Sequence, residues 1–256
     1  MDWKTTILTL LVLLAAESVC GHATLHFANL EPRENPQSTD KRQPNLVLQL
    51  GHVSGGITSV AYSPDGRLIL TGSYDETACL WDAVDGRELR RFRGHEEAVN
   101  AVAFTRDGRF AVTGSGGVIE SVDNTIRLWD IATGREVRRF EGHAGGIIAL
   151  AISADGRQIL SGGYDKSARL WDISTGRQLK VVSYVDPATI TVVKFVPRST
   201  YIVIGGWYRP AQVLDISSGK EVRRFSSDSV LSNVTALAVS SNGSQLIGAD
   251  GVKRQF

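Results

Sequence analysis

The residue types in this chain that could do chemistry come in three similar sets. His52, Thr71 and Asp75 form one, His95, Thr113 and Asp123 a second, and His143, Ser161 and Asp165 a third. An acid, an imidazole and a hydroxyl are the parts of a base-activated nucleophile, in which the imidazole takes the hydroxyl proton and the carboxylate orients the imidazole. Their recurrence argues against that use. A reaction centre needs one activated nucleophile beside one pocket, and three equivalent sets have no such economy. No His-Glu-x-x-His, phosphate-cradling glycine loop or Cys/His metal spacing is present. The expectation is a chain that is not an enzyme and needs neither cofactor nor metal.

The sets recur because the chain is a repeat. The segments beginning at Gly51, Gly94 and Gly142 share a Gly-His, an Asp-Gly turn and a closing Trp-Asp, the last at Trp81-Asp82, Trp129-Asp130 and Trp171-Asp172. The second copy carries an insertion around Gly116–Ser121. A degenerate fourth copy ends in Leu214-Asp215, with Ile204, Tyr208 and Leu214 at the Ser, Asp and Trp positions and no Gly-His before it. Inside each copy, short runs of alternating apolar residues are separated by turn chemistry: Ile57–Tyr62, Leu68–Thr71, Ala78–Trp81 and Glu88–Phe92 in the first. Four antiparallel strands per copy make one sheet. Such a sheet is apolar on both faces, so successive copies must stack face to face, and radial stacking gives a propeller.

A Gly-His, then an Asp six residues before a Trp-Asp, recurring in three consecutive copies, resembles the WD-repeat family over residues 46–256. The resemblance implies an all-β, WD40-type β-propeller, and the strand pattern, which continues past the fourth copy through Val234–Val239 and Leu246–Gly248, gives about five four-stranded blades. They are expected near residues 51–92, 94–140, 142–182, 183–225 and 226–256. Residues 45–50 are the expected closing strand of the fifth; the alternative is an incomplete or truncated ring that could dimerise. The resemblance also implies that His, Ser/Thr, Asp and Trp form a structural hydrogen-bonded tetrad in each of three blades, with Trp81, Trp129 and Trp171 closing it through the indole N–H. The family's partner-binding positions fall here on Tyr74, Val122, Tyr164 and Trp207, just before the Asp position, and on Thr58, Asn100, Ile148, Thr191 and Thr235, near the start of each innermost strand. The function implied is a scaffold for another protein or peptide. The alternative is a ligand-binding or hydrolytic propeller with its site at the channel mouth.

Charge and composition bound the partners. Twenty-eight basic residues face 27 acidic ones, so no global field draws the chain to nucleic acid, and none is expected as a partner. A repeated basic outer strand (Arg87, Arg90, Arg91; Arg135, Arg138, Arg139; Arg177, Lys180; Arg223, Arg224) reads as charge that protects a sheet edge. Residues 1–23 have the outline of a secretory signal: Lys4, an apolar run from Ile7 to Ala16, then small or polar residues. The run is too short to span a bilayer, so a secreted or periplasmic protein with no membrane span after cleavage is expected. An N-terminal anchor or, if the run is no signal, a cytoplasmic protein are the alternatives. Residues 24–45, with Pro32, Pro36 and Pro44 among polar residues, read as a flexible linker, and Cys79, in an apolar strand, as an inert buried thiol.

Overall fold

A computed structural model of the chain describes residues 52, 55–118, 121–183, 189–207, 209–225 and 234–250. The expected signal, linker and closing strand 45–50, the last strand of the fifth blade, and Tyr208 lie outside the described residues. Within them the chain is all-β, with eighteen strands and no helix. The first sheet is β1 (Ile57–Tyr62), β2 (Leu68–Ser73), β3 (Ala78–Asp82) and β4 (Glu88–Phe92); the second is β5 (Val99–Phe104), β6 (Phe110–Ser115), β7 (Ile126–Asp130) and β8 (Glu136–Phe140). The third is β9 (Ile147–Ile152), β10 (Gln158–Gly163), β11 (Ser167–Asp172) and β12 (Gln178–Ser183). The fourth is β13 (Ile190–Phe195), β14 (Tyr201–Gly206), β15 (Arg209–Asp215) and β16 (Glu221–Phe225). A fifth sheet holds β17 (Val234–Val239) and β18 (Leu246–Asp250). All pairings are antiparallel between consecutive strands, so each sheet is a meander.

Local chemistry fixes the turns. Ser63 donates its hydroxyl to Asp65 at 2.6 Å, the Asp65 carboxylate accepts from Arg67 N, and Gly66 takes the left-handed conformation (φ +72°) that closes the turn. Thr105-Asp107-Gly108, Ser153-Asp155-Gly156 and Ser240-Asn242-Gly243 repeat it. The Asp of each Trp-Asp pair turns its carboxylate onto the next loop: Asp172 accepts from Ser174 Oγ and Thr175 N, both at 2.7 Å, and these bonds hold its carboxyl down at about 2.

Sheets stack in chain order, and every joint uses one device. The second strand presents a large apolar residue and, two positions on, a glycine to the first strand of the next sheet. Leu70 packs with Val99, Val102 and Phe104; Val112 with Ile147; Leu160 with Ile190 and Val193; Val203 with Val234 and Leu237. The glycines are Gly72, Gly114, Gly162 and Gly205. A Cβ on Gly72 would stand 2.7 Å from the Val99 carbonyl oxygen. On Gly114, Gly162 and Gly205 it would stand 2.7, 2.6 and 2.8 Å from a branched methyl of Ile147, Ile190 and Val234. Backbone must pass that close for the β-branched side chain to seat, so no other residue fits.

The basic outer strands join the same interfaces, which corrects their reading as edge protection. Arg90 reaches across to the carbonyls of Ala132 (2.9 Å) and Thr133 (3.2 Å), Arg138 to that of Thr175 (2.9 Å), and Lys180 to those of Ile216 (2.5 Å) and Ser217 (3.1 Å). Each cation satisfies turn carbonyls of the following sheet, and the turn glycines Gly134, Gly176 and Gly219 leave room for it. Arg91, Arg139 and Arg224 instead pair with Glu88, Glu136 and Glu221 on their own strands.

Among the described residues the series is open at both ends. On β1, Ile57, Val60 and Tyr62 are 37%, 39% and 46% exposed, whereas their counterparts Val99, Val102 and Phe104 on β5 are buried. At the other end Ile247, in the register of Leu70, is 69% exposed. Among the described residues the sheets do not close into a ring.

The joint geometry predicts that Gly162→Ala lowers stability by about 1–3 kcal/mol through overpacking. Gly56→Ala, where a Cβ would meet its nearest atom at 3.8 Å, should be near neutral. Urea unfolding midpoints of the two variants check this; equal midpoints would contradict it.

Candidate functional site

Each of the three expected tetrads is assembled. His52 Nδ1 lies 2.9 Å from Asp75 Oδ2 and its Nε2 2.9 Å from Thr71 Oγ1, while Trp81 Nε1 donates to that hydroxyl oxygen at 2.8 Å. The same links measure 2.7, 2.7 and 2.9 Å for His95 with Asp123, Thr113 and Trp129, and 2.8, 2.7 and 2.9 Å for His143 with Asp165, Ser161 and Trp171. One proton arrangement satisfies every group: Nδ1–H donates to the carboxylate, the hydroxyl donates to Nε2, and the indole donates to the hydroxyl oxygen. The hydroxyl proton is therefore held by an imidazole already locked on its far side, beneath a tryptophan, in a buried site. Chemically this is a lock between the residues before β1, β5 and β9 and the inner strands of the same sheet.

Two members of the lock were not found from the sequence. A hydroxyl two residues past each Asp donates to its second oxygen: Thr77 at 2.6 Å, Ser167 at 2.8 Å, and Thr125. An arginine also meets the first oxygen, Arg127 Nη2 at 3.3 Å from Asp123 and Arg169 Nη2 at 3.4 Å from Asp165. Cys79 stands at this arginine's position in the first sheet, and Arg91 on β4 approaches Asp75 at 3.5 Å in its place. The signal was there in the paired spelling Ile126-Arg127-Leu128 and Ala168-Arg169-Leu170. The Cys79 thiol is buried, and burial pushes it up to about 12, as an inert thiol requires.

Burial pushes the Asp123 carboxyl up, but hydrogen bonds from His95 and Thr125 outweigh it, and the group lies far below the ordinary carboxylate range. Asp165 is lowered in the same way, against its burial, by His143. Burial pulls His95 below its usual value, against Asp123, which raises it.

The fourth sheet has no tetrad. Ile204 and Leu214 sit in its apolar core, and Gln212, at the arginine position, is buried. The sheet is held by apolar packing and by the Lys180 clamp.

The rim residues fall into two groups. Tyr74, Tyr164 and Trp207 occupy equivalent loops, because each amide donates to the carbonyl just before its inner strand: Tyr74 to Gly56 (3.3 Å), Tyr164 to Gly146 (2.9 Å) and Trp207 to Thr189 (3.1 Å). In the second sheet Gly116 makes that bond, to Ala98 (3.2 Å), and the insertion follows it. Glu97 folds the insertion inward: its carboxylate accepts from Gly117 N at 2.8 Å and from Ser121 Oγ. Val118 and Val122 are left exposed, as is Tyr74. The Tyr164 and Trp207 rings meet edge to face with centroids 6.1 Å apart, and Tyr164 is raised by burial and by neighbouring Tyr74. The structure thus brings Tyr74, Tyr164 and Trp207 to one end of the sheets.

The innermost-strand group is spent within the fold. Thr58 donates to the Val99 carbonyl, Thr191 to that of Val234 (2.7 Å), and Asn100 to those of Gly116 (2.6 Å) and Ile147 (3.4 Å). The bonds to Val99, Val234 and Ile147 cross from sheet to sheet, and the one to Gly116 stays within the second sheet. Ile148 is half-buried on β9, and Thr235 lies on β17.

This repeated His, Ser/Thr, Asp and Trp geometry sits in a chain whose residues 44–82, 86–130 and 134–172 each match the WD domain, G-beta repeat family. The chain is a WD-repeat protein. It is similar to the dynein assembly factor with WD repeat domains 1 of Danio rerio, 44% identical over 48 residues (19% of this chain, 12% of that one). The Homo sapiens protein of that name is 46% identical over 48 residues, with the same coverage. It is also similar to pre-mRNA-processing factor 19 of Oryza sativa subsp. japonica, 30% identical over 100 residues (38% of this chain, 19% of that one). The WD-repeat chain therefore spans under a fifth of the length of these relatives in each match.

Linkage gives the sign of the pH dependence. The lowered Asp123 and Asp165 contribute stability that is present above their unfolded pKa of about 3.9 and is lost as pH falls through their folded values. A lowered His95 acts in the same direction: its contribution is present above about 6.5 and fades as pH falls toward and through its folded value. Unfolding midpoints should decline from about pH 6.5 downward and more steeply below about pH 4. Asp123→Ala, which leaves the buried His95 donor and Arg127 short of an acceptor, should cost roughly 3 kcal/mol. Asp75→Ala should cost less, because Arg91 keeps Glu88 at 2.7 Å. Denaturant melts across pH check both orders.

Proposed function

We propose that this WD-repeat protein is a non-enzymatic scaffold that holds a protein or peptide on the rim formed by Tyr74, Val122, Tyr164 and Trp207. WD repeats generally mediate protein–protein contacts, and the observation that carries the finer reading is the edge-to-face pair of Tyr164 and Trp207 beside Tyr74. Aromatic side chains with an apolar body and a polar tip dominate binding hot spots. Glu97 ties Gly117 and Ser121 at the two ends of the insertion, and Val118 and Val122 stand exposed there as further apolar contacts for a partner. Thr58, Asn100, Ile148, Thr191 and Thr235 would lie beneath this rim and set the positions of its loops. A hydrolytic reading gains nothing from the geometry, since the hydroxyls of Thr71, Thr113 and Ser161 are buried and each oxygen accepts from the indole of Trp81, Trp129 or Trp171. The N-terminal signal outline supports a place outside the cytoplasm.

Replacing Tyr74, Tyr164 and Trp207 together with Ala should leave the fold nearly intact. Each buried hot-spot aromatic is worth about 2 kcal/mol, so losing two of them weakens a complex roughly a thousandfold. Replacing Arg139 and Arg224, exposed on the outer strands, should do little. Quantitative capture with the native chain and both variants as baits decides it: loss of the captured protein with the arginine variant, and retention with the aromatic one, overturns the rim. Mass spectrometry of the chain exported by its own host tests the location, with a start after residue 20 or 23 expected and an intact Met1 contrary.

A further inference from the structure

Three sheets close the turn after their innermost strand with one spelling, Asp65-Gly66-Arg67, Asp107-Gly108-Arg109 and Asp155-Gly156-Arg157. In the fifth sheet the turn after β17 reads Asn242-Gly243-Ser244. A carboxamide stands where the others have a carboxylate, and a hydroxyl stands two residues on where they have a guanidinium. Together the two exchanges spell Asn-x-Ser with x not proline, the pattern that a secretory pathway reads as an acceptor for an N-linked glycan.

The turn itself survives the exchange. Asn242 Oδ1 accepts from Ser240 Oγ at 2.8 Å, from Ser244 N at 3.0 Å and from Ser244 Oγ at 2.8 Å, much as the Asp65 carboxylate accepts from Ser63 Oγ and Arg67 N. Gly243 takes the left-handed conformation (φ +74°), and its amide donates to the Ser240 carbonyl at 2.8 Å. All of this engages only the oxygen of the Asn242 side chain. Among the described residues Nδ2 has no acceptor, and Asn242 and Ser244 are both exposed. As a turn former, aspartate already serves the other sheets; what asparagine adds is an amide nitrogen left open to solvent.

We infer that Asn242 is an N-glycosylation site, modified as the chain enters a secretory compartment; the inference rests on the reading of the N-terminus as an export signal. The donor is an oligosaccharide linked to a lipid pyrophosphate. Asn242 Nδ2 bonds to the anomeric carbon of its first sugar, and the bond from that carbon to the pyrophosphate oxygen breaks. The electron pair leaves with the lipid pyrophosphate, and one Nδ2 proton passes to a base of the transferring enzyme. Oδ1 and its donors, Ser240 and Ser244, are untouched, so the glycosylated side chain keeps the turn. The other sequon, Asn233-Val234-Thr235, leads instead into the fourth joint, where Val234 is buried. The Asn242 turn follows its innermost strand, whereas the rim loops lie level with the starts of those strands. A glycan at Asn242 therefore extends from the end opposite Tyr74, Tyr164 and Trp207 and leaves the rim open.

Translation of the full chain with rough microsomes, beside the same chain carrying a proven cleavable leader ahead of Met1, tests site and export separately. Both should become protected from added protease and gain a glycan that peptide-N-glycosidase removes, mapped to Asn242 by glycopeptide mass spectrometry. Asn242→Asp, which restores the residue of the other turns, and Ser244→Ala should abolish the glycan at position 242, and Ser244→Thr should keep it. A native chain left open to protease, beside a leader-bearing chain glycosylated at Asn242, would refute export and uphold the site. A protected chain with a bare Asn242 overturns the inference, as does a Ser244→Ala chain modified at Asn242 as fully as the native one.

Discussion

A small antiparallel sheet with two apolar faces cannot stand alone in water, and the rest of this structure follows from that. Each sheet buries its second-strand face against the first strand of the next, and the contact is tight because a glycine gives up its side chain to a β-branched neighbour. Leu70 and Gly72 against Val99 and Val102 set the pattern that three more joints repeat. Polar groups are then placed around this apolar contact. Thr58, Asn100 and Thr191 bond across its inner end, and Arg90, Arg138 and Lys180 across its outer end. A backbone carbonyl at a sheet boundary has no ladder partner, and these side chains supply one.

The tetrads serve the same constraint within a sheet. A loop that must pass from an outer strand to the innermost strand of the next sheet needs an anchor, and His95, bonded to Asp123 and Thr113 at 2.7 Å each, provides it. The lock is buried and has many members, so its polar groups are worth keeping only if all are satisfied. That explains the added hydroxyl of Thr125 and the cation of Arg127. It also explains the first sheet, where Cys79 replaces the strand arginine and Arg91 supplies the charge from the next strand over. The fourth sheet replaces Ser and Trp with Ile204 and Leu214, which bury apolar surface where the other sheets place a hydroxyl and an indole.

The repeat, the strand order within each sheet, the tetrad partners and the rim loops were all legible in the sequence, because each rests on local spacing: period-2 runs, Asp-Gly turns, and a fixed offset from Asp to Trp. The contacts between sheets were less legible. Arg90 looked like a charge guarding an edge because its partners, the carbonyls of Ala132 and Thr133, are backbone atoms over forty residues away. The hydrogen bonds of Thr58 and Asn100 were hidden for a similar reason: their acceptors, Val99, Gly116 and Ile147, are backbone carbonyls, which side-chain patterns do not reveal. The socket glycines are spelled out in the repeated Thr-Gly-Ser and Ser-Gly-Gly, yet only the approach of Ile147 or Ile190 shows why they are glycines.

The central claim is that the recurring His, hydroxyl and Asp sets are locks and not base-activated nucleophiles. Both uses put the proton on Nδ1 and leave Nε2 to accept from the hydroxyl, so the reactivity of the hydroxyl separates them. Incubation of the chain with a fluorophosphonate, which phosphonylates base-activated hydroxyls, followed by intact-mass measurement tests it most directly. The lock, with each hydroxyl buried beneath a tryptophan, predicts no adduct; an adduct on Thr71, Thr113 or Ser161 would contradict it.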